Sequence, residues 1–331
     1  MLPVFEQVNP VVEGGNTRHG CSPEKPSNQV YDGFLLIREN TVILLIQPRG
    51  VKLETRPVTR PNSFIFTLYG DMVHRHTPDG SLWIGGLVRL MATFGLSDAA
   101  VRQAVSRMSR QGWLVASKHG NRAFYAVTER GRRRIEGLSP RIYGPIVEWD
   151  GRWRMLTYGV SEAQRDRRDR LRKDLAVLGW APLSASTWIS PSDTIEQARD
   201  VAQAADVLGD IDLFSGEYHG PLTDRALLEK CWDLKAIGAA YDSFIDRYTP
   251  RLQDERTTAG FSEREAFVER LWLVHDYRKF TYIDPGLPSA LLPAHWAGTR
   301  AAALFREYYA AIDAKSLRFF RSAANLGSAS A

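Results

Sequence analysis

Thiols are almost absent from this chain: Cys21 and Cys231 are the only two in 331 residues, and neither has a Cys-x-x-Cys partner. That excludes a disulfide framework and a thiolate zinc site, and it suits a reducing, cytoplasmic setting. Long apolar runs are missing too; nothing approaches the ~20 residues that a membrane-spanning helix requires. The opening Met1-Leu2-Pro3-Val4-Phe5-Glu6 has neither the basic start nor the apolar core of a secretory signal. Catalytic signatures are equally scarce. No nucleophile elbow occurs, and Gly85-Gly86 lacks the strand-turn-helix setting of a dinucleotide fingerprint. His74 and His76 would point about 200° apart on a helix, which is wrong for joint metal ligation. His275 and Asp276 are adjacent, so on a helix they do not face each other, and His275 reads as a packed, hydrogen-bonded side chain. No acidic pair is placed to hold a metal. No catalytic residue, metal or cofactor is therefore expected, and the enzyme class is disfavoured.

What the sequence does have is positive charge in one place. A net charge of +5 and 44% apolar residues are ordinary for a folded protein, and the length favours two or three domains. Residues 98–134, however, hold nine Arg or Lys against only Asp98 and Glu129, which leaves the rest of the chain slightly acidic. A field concentrated on one module is the footprint of a nucleic-acid contact. Within it, residues 97–110 sort cleanly at 3.6 residues per turn. Ala100, Val101, Ala104, Val105 and Met108 fall on one side, and Arg102, Gln103, Ser106, Arg107 and Arg110 on the other. Gly95-Leu96-Ser97 before this helix reads as a tight turn with Ser97 as its N-cap. After Gly112, two short apolar runs flank Lys118-His119-Gly120-Asn121-Arg122, a hairpin with basic shoulders. The pattern predicts a winged helix-turn-helix that binds double-stranded DNA. Arg102, Gln103 and Ser106 are placed for base edges, and Arg107, Arg110, Lys118 and Arg122 for phosphates.

Along the chain, residues 1–60 are punctuated by Pro, Gly, Asn and Ser and read as a poorly ordered extension. Residues 61–145 form the DNA-binding domain, opening on a helix over Phe64–Tyr69 capped by Pro61-Asn62-Ser63. A second helix follows, carrying Trp83, Leu87, Leu90, Met91 and Phe94, and a helix from Thr128 to near Gly144-Pro145 closes the domain. In 146–221, strands at Arg152–Val160, Ser184–Ser190 and Ile211–Ser215 alternate with helices at Glu162–Leu178 and Thr194–Val207. That order predicts a ferredoxin-like α/β sandwich. The Arg165–Lys173 cluster is interleaved with Asp166, Asp169 and Asp174 and reads as a self-paired, solvated face. Residues 222–322 are helical, with a capping box at Ser262-Glu263-Arg264-Glu265 and a turn-rich bridge from Asp284 to Pro293. A tail, 323–331, completes an α+β chain.

The stretch Ser63–Asp71, the helix-turn-helix, Trp149-Asp150-Gly151-Arg152-Trp153 and Tyr277-Arg278-Lys279-Phe280, followed by Asp284-Pro285, Leu287-Pro288, Leu291-Leu292-Pro293 and Trp296, together carry a resemblance. Over roughly residues 60–320 the chain resembles the PaaX family, repressors of phenylacetic acid catabolism. The resemblance implies three domains, a homodimer on operator DNA, and release by an aryl-CoA thioester, phenylacetyl-CoA in the founding case; the lack of a long apolar run adds the expectation of no membrane partner. Such a ligand needs cations for its phosphates and an apolar slot for its acyl end, so Trp272, Arg278, Lys279, Phe280 and Trp296 are the candidates for it. Arg278 and Lys279 serve equally well as charges complementing the end of their helix. The alternatives are an enzyme acting on a CoA thioester or nucleic acid, with the winged helix as its targeting module, and a winged helix that makes only protein contacts.

Overall fold

The computed structural model describes residues 34–38, 41–45, 56–77, 79–144, 148–257 and 260–326. Early in the chain, strands β1 (Phe34–Arg38) and β2 (Thr41–Leu45) pair antiparallel as a hairpin. The rest of 1–55, and with it most of the expected extension and Cys21, lies outside the described residues, as do 327–331 of the tail.

From residue 56 onward the chain builds on a helix that proline opens. Pro61 takes the first position of α1 (Pro61–Leu68), where its missing N–H would have no partner in any case. Ser63 was expected to cap this helix. It lies instead inside the first turn, and its carbonyl and hydroxyl accept hydrogen bonds from Arg278. The helix continues past Tyr69 through one π turn, Tyr69–Val73, and resumes as α2 (His74–His76). The wider turn brings Tyr69, Asp71, Met72 and Val73 all inward. A three-residue strand, β3 (Ser81–Trp83), leads into α3 (Ile84–Ala92). Trp83, expected within that helix, stands before it.

Gly95 turns the chain at φ +76°, and Ser97 caps α4 (Asp98–Arg110) by accepting the Ala100 N–H at 3.2 Å. Strands β4 (Leu114–His119) and β5 (Arg122–Val127) follow, and Gly120 at φ +59° makes their two-residue turn possible. β5 also pairs with β3, giving a three-stranded antiparallel sheet in the order β3-β5-β4. Thr128 caps α5 (Glu129–Tyr143).

The middle of the chain runs β6 (Trp153–Tyr158), α6 (Arg165–Val177), β7 (Ala181–Pro182), β8 (Thr187–Ser190), α7 (Ile195–Ala204) and β9 (Ile211–Gly216). The sheet order β7-β8-β6-β9 is wholly antiparallel and ferredoxin-like. Leu171 and Leu175 of α6 and Ala198 and Ala202 of α7 cover it, burying Leu156 and Trp188. The arginines of α6 pair less with their own helix than expected. Arg168 meets Glu162 at 2.8 Å and Arg167 meets Asp206 at 3.0 Å, both off the helix, while Arg165 reaches Asp169 at 3.9 Å.

The remainder is helical: α8 (Asp224–Cys231), α9 (Leu234–Glu255), α10 (Glu263–Tyr277), α11 (Phe280–Ile283) and α12 (Ala297–Ala324). The capping box at Ser262 and Glu265 forms in both directions. Helix α10 is buried on every side from Ala266 to His275, which a helix reaches only when other elements surround it. Its Phe267, Leu271 and Trp272, with Phe320 and Ala324 of α12, join one apolar core with Phe64, Leu87, Phe94 and Val105. A second core lies between α9, α10 and the first half of α12. At the meeting of the two cores Arg270 and Asp71, both fully buried, pair at 2.7 Å. Tyr143 and Tyr309 donate to the same carboxylate at 2.9 and 2.7 Å, and Arg270 also reaches Asp313 and Ser316. One ion pair thus ties together α1 with its π turn, α5, α10 and α12.

Candidate nucleic-acid interface

Helix α4 is held by its apolar face: Val101, Ala104, Val105 and Met108 are all buried. Its other face is bare. Arg102, Gln103, Ser106, Arg107 and Arg110 are exposed, as are Lys118 and Arg122 at the ends of the β4–β5 hairpin. Among the described residues no ion pair or hydrogen bond engages the side chains of Gln103, Ser106, Arg107, Arg110 or Lys118. Arg102 is different, because it forms an ion pair with Asp98 one turn earlier, with both side chains about half exposed. Arg122 differs too. Its guanidinium lies 4.7 Å from the centroid of the Trp83 ring, so it braces the hairpin against the start of α3. Sequence reasoning missed this brace because Trp83 seemed to belong to a helix rather than to the end of a strand. Close by, Thr128 donates to the Gly112 carbonyl at 2.7 Å and Arg130 lies over Trp113, fastening the return strand to the end of α4.

Two cavities lie away from this face. The larger, about 740 Å3, is lined by Arg134 and Arg141 of α5, Lys173 of α6, and Trp180, Trp188 and Trp232. The smaller, about 410 Å3, is lined by Tyr241, Tyr277, Phe280, Trp296 and Arg306. Arg141 and Asp284 border both, and Arg141 donates to the Asp284 carbonyl. The cations of the larger cavity were not among the sequence candidates. Their one signal is that Arg134 and Arg141, seven residues apart, share a face of α5.

Of the five effector candidates, the structure brings Phe280 and Trp296 together in the smaller cavity. The other three stand elsewhere: Trp272 lies on the enclosed stretch of α10, and Arg278 and Lys279 follow its end. Trp272 packs on Phe64 at 4.5 Å under the Arg56 guanidinium, at the edge of a third cleft beside Gly95. Arg278 caps α10 and donates to the Ser63 carbonyl at 2.9 Å. Lys279 donates to Asp276 at 2.7 Å. His275 is packed as the sequence suggested, with Nδ1 2.9 Å from the Thr67 hydroxyl and its ring against Phe64. Burial, reinforced by the charges of Arg278 and Lys279, pulls its pKa down to about 3, so the ring is neutral.

Comparison with known proteins places these features in a family. Models of the PaaX-like protein, the PaaX protein central Cas2-like domain and the PaaX-like protein C-terminal domain match residues 60–131, 147–228 and 232–322. The transcriptional repressor PaaX of Escherichia coli (strain K12) is 32% identical over 264 residues, spanning 78% of this chain and 82% of that protein. A solved structure, the uncharacterized protein Rv0674 from Mycobacterium tuberculosis, shares the fold. Its TM-score is 0.52 at 22% identity, over 81% of this chain and 99% of that one. With three matching models in order along its length and a relative at this identity and coverage, the chain belongs to the PaaX family.

Proposed function

We propose that the chain is a DNA-binding transcriptional repressor of an aromatic, phenylacetate-type catabolic operon, a regulator and not an enzyme. The observation that carries this reading is α4, with one face sealed in the core and the opposite face an unobstructed row of Arg102, Gln103, Ser106, Arg107 and Arg110. With α3 before it and the β4–β5 hairpin after it, α4 acts as the recognition helix of a winged helix-turn-helix and lies in the major groove. The early turn, with Arg102, Gln103 and Ser106, meets base edges. Arg107, Arg110 and the wing residues Lys118 and Arg122 meet phosphates. A homodimer presents two such helices to the half-sites of a near-palindrome. A cytoplasmic location follows from the role, and no described helix is long and apolar enough to cross a membrane.

An aryl-CoA thioester, phenylacetyl-CoA in the first instance, releases the protein from DNA. The chemistry of the paired cavities supports this: Arg134, Arg141 and Lys173 suit phosphates, and the aromatic lining around Phe280 and Trp296 suits an aryl group. The effector works only through a difference in affinity between DNA-bound and released states, and no catalytic step is required.

The test is fluorescence anisotropy on the protein's own promoter region across a salt series, with and without phenylacetyl-CoA. Tight, salt-sensitive binding relieved by the thioester, but not by free phenylacetate or CoA, is the expected result. Binding that ignores the thioester removes the effector, and absence of specific binding at any salt removes the repressor.

A further inference from the structure

The carboxyl end of α12 rests on the helix that precedes α4. Arg89, in the last turn of α3, donates from Nε to the Ala323 carbonyl at 2.8 Å. One turn earlier Gly86 is buried against Ala324, so closely that an added Cβ would stand 2.9 Å from the Ala324 carbonyl oxygen and 3.1 Å from its Cα. The same Arg89 guanidinium lies 5.0 Å from the centroid of Trp83, the ring that also carries Arg122 of the hairpin at 4.7 Å. Contact therefore runs without a break from the end of α12 through Arg89 and Trp83 to Arg122. The middle of α12 is pinned by Asp313 and Ser316 on Arg270, itself locked to Asp71. Its first turns, through Gly298, Thr299, Ala302 and Arg306, form a wall of the smaller cavity. Its 28 residues make a rod of ~42 Å.

We propose that α12 is the transmission element of the switch. Through the Arg89–Trp83–Arg122 stack its carboxyl end fixes the pose of the β4–β5 hairpin, and a ligand in the cavity at its other end moves that pose. The link between α12 and the hairpin stands on the contacts alone; its use on DNA and by an aryl-CoA thioester rests on the reading above. A packed interface shifts between discrete positions rather than deforming gradually, so a displacement of α12 at the cavity changes how its carboxyl end seats on α3.

Hydrogen exchange of the amides of residues 114–127 tests the link in the full-length protein. Arg89→Ala and Arg122→Ala, both at exposed side chains, are each expected to speed exchange there roughly two- to fivefold, the scale of one such stacked cation. The double variant is expected to exchange no faster than either alone, since both changes break the same stack. Arg89→Ala is further expected to weaken DNA binding although Arg89 is not among the residues assigned to DNA above. It should also bring the ratio of DNA affinities without and with phenylacetyl-CoA close to one. Gly86→Ala, which pushes the end of α12 away, should do the same by an independent route. Unchanged hairpin exchange in Arg89→Ala, or additive effects in the double variant, overturns the link. If the wild type binds no DNA, the repressor reading fails, while the exchange comparison still decides whether α12 holds the hairpin.

Discussion

Arg102 and Arg107 sit on the same open face of α4, yet their charges are not equally free. Arg102 shares its charge with Asp98, whereas no carboxylate in the described structure meets Arg107. On the proposed reading, Arg107 neutralises a phosphate directly. Arg107→Ala should therefore weaken binding about equally on all sequences and reduce the slope of log K against log salt by about one. Gln103→Ala should instead relax preference at one base pair, a loss of about 1–3 kcal/mol on the best site and little on others. Anisotropy titrations on operator and scrambled duplexes separate the two, and identical profiles for both variants would refute the assigned roles. His275 gives a pH prediction at the same scale. Its folded pKa of about 3 lies below the unfolded value near 6.5, so unfolding takes up a proton throughout that window. The neutral ring's contribution is complete above pH 6.5 and declines as pH falls towards 3, by at most about 5 kcal/mol. Burial alone would raise the neighbouring Asp276 carboxyl, but Arg56 and Lys279 hold it down at about 2, so its contribution is lost only below about pH 4. Urea titrations between pH 7 and 4.5 should lose stability in the wild type and be flatter in His275→Gln; parallel curves would disprove it. The open face of α4 was legible because 3.6-residue periodicity alone sorts exposed from buried. The partners of Arg122 and Trp272 were not, since they come from distant parts of the chain.

The helices with strong local punctuation stand where the sequence placed them, because Ser97, Thr128 and Ser262 satisfy helix N–H groups whatever surrounds them. Elements defined by pairing rather than by their own pattern were missed. Strand β3 has three residues and exists because β5 offers it a partner, β7 has two and leans on β8, and the π turn at Tyr69–Val73 serves to turn Asp71 inward. That turn matters because of what Asp71 holds. Arg270 has no exposed surface, and the carboxylate accepts from it while also accepting from two tyrosines. Removing one charge from such a pair leaves the other buried without its counterion, so Asp71→Asn should cost about 3–5 kcal/mol. Asp313 still meets Arg270, which places the loss at the lower end of that range. Replacing both partners, Asp71→Leu with Arg270→Met, removes the unpaired charge but strands the Tyr143 and Tyr309 hydroxyls, so it should recover only part of the loss. Urea midpoints at constant m-value report both, and a change under 1 kcal/mol in Asp71→Asn would show that this pair does not clamp the four elements.

Taken as a whole, the molecule does not divide its apolar interior along the divisions its sequence suggests. Composition and punctuation separate a basic stretch from a helical carboxyl-terminal one, but the core beneath α1, α3 and α4 is completed by Phe267, Leu271, Trp272 and Phe320 from α10 and α12. No periodicity reveals this, since a helix sealed on all sides, as α10 is, shows no polar face from which its neighbours could be inferred. The middle sheet is closed on one face by its own helices, where β6, α6, β8 and α7 enclose Leu156, Leu171, Leu175 and Trp188, but on the other face Trp153 and Ile189 share a core with Leu227, Leu228, Leu287 and Leu291. The energetic consequence is large. Burying each large apolar side chain contributes about 1.5–3 kcal/mol, so the four from α10 and α12 supply as much as the whole net stability of a typical domain, about 5–15 kcal/mol. A fragment of residues 61–145 should therefore show no cooperative melt by circular dichroism and no dispersed methyl spectrum. Supplying residues 222–326 as a second chain should restore both. A fragment that melted sharply alone would mean that α10 and α12 merely rest on a finished domain. The shared core makes the opposite case: whatever shifts the carboxyl-terminal helices repacks the base of the open α4 face, because the two share one hydrophobic core.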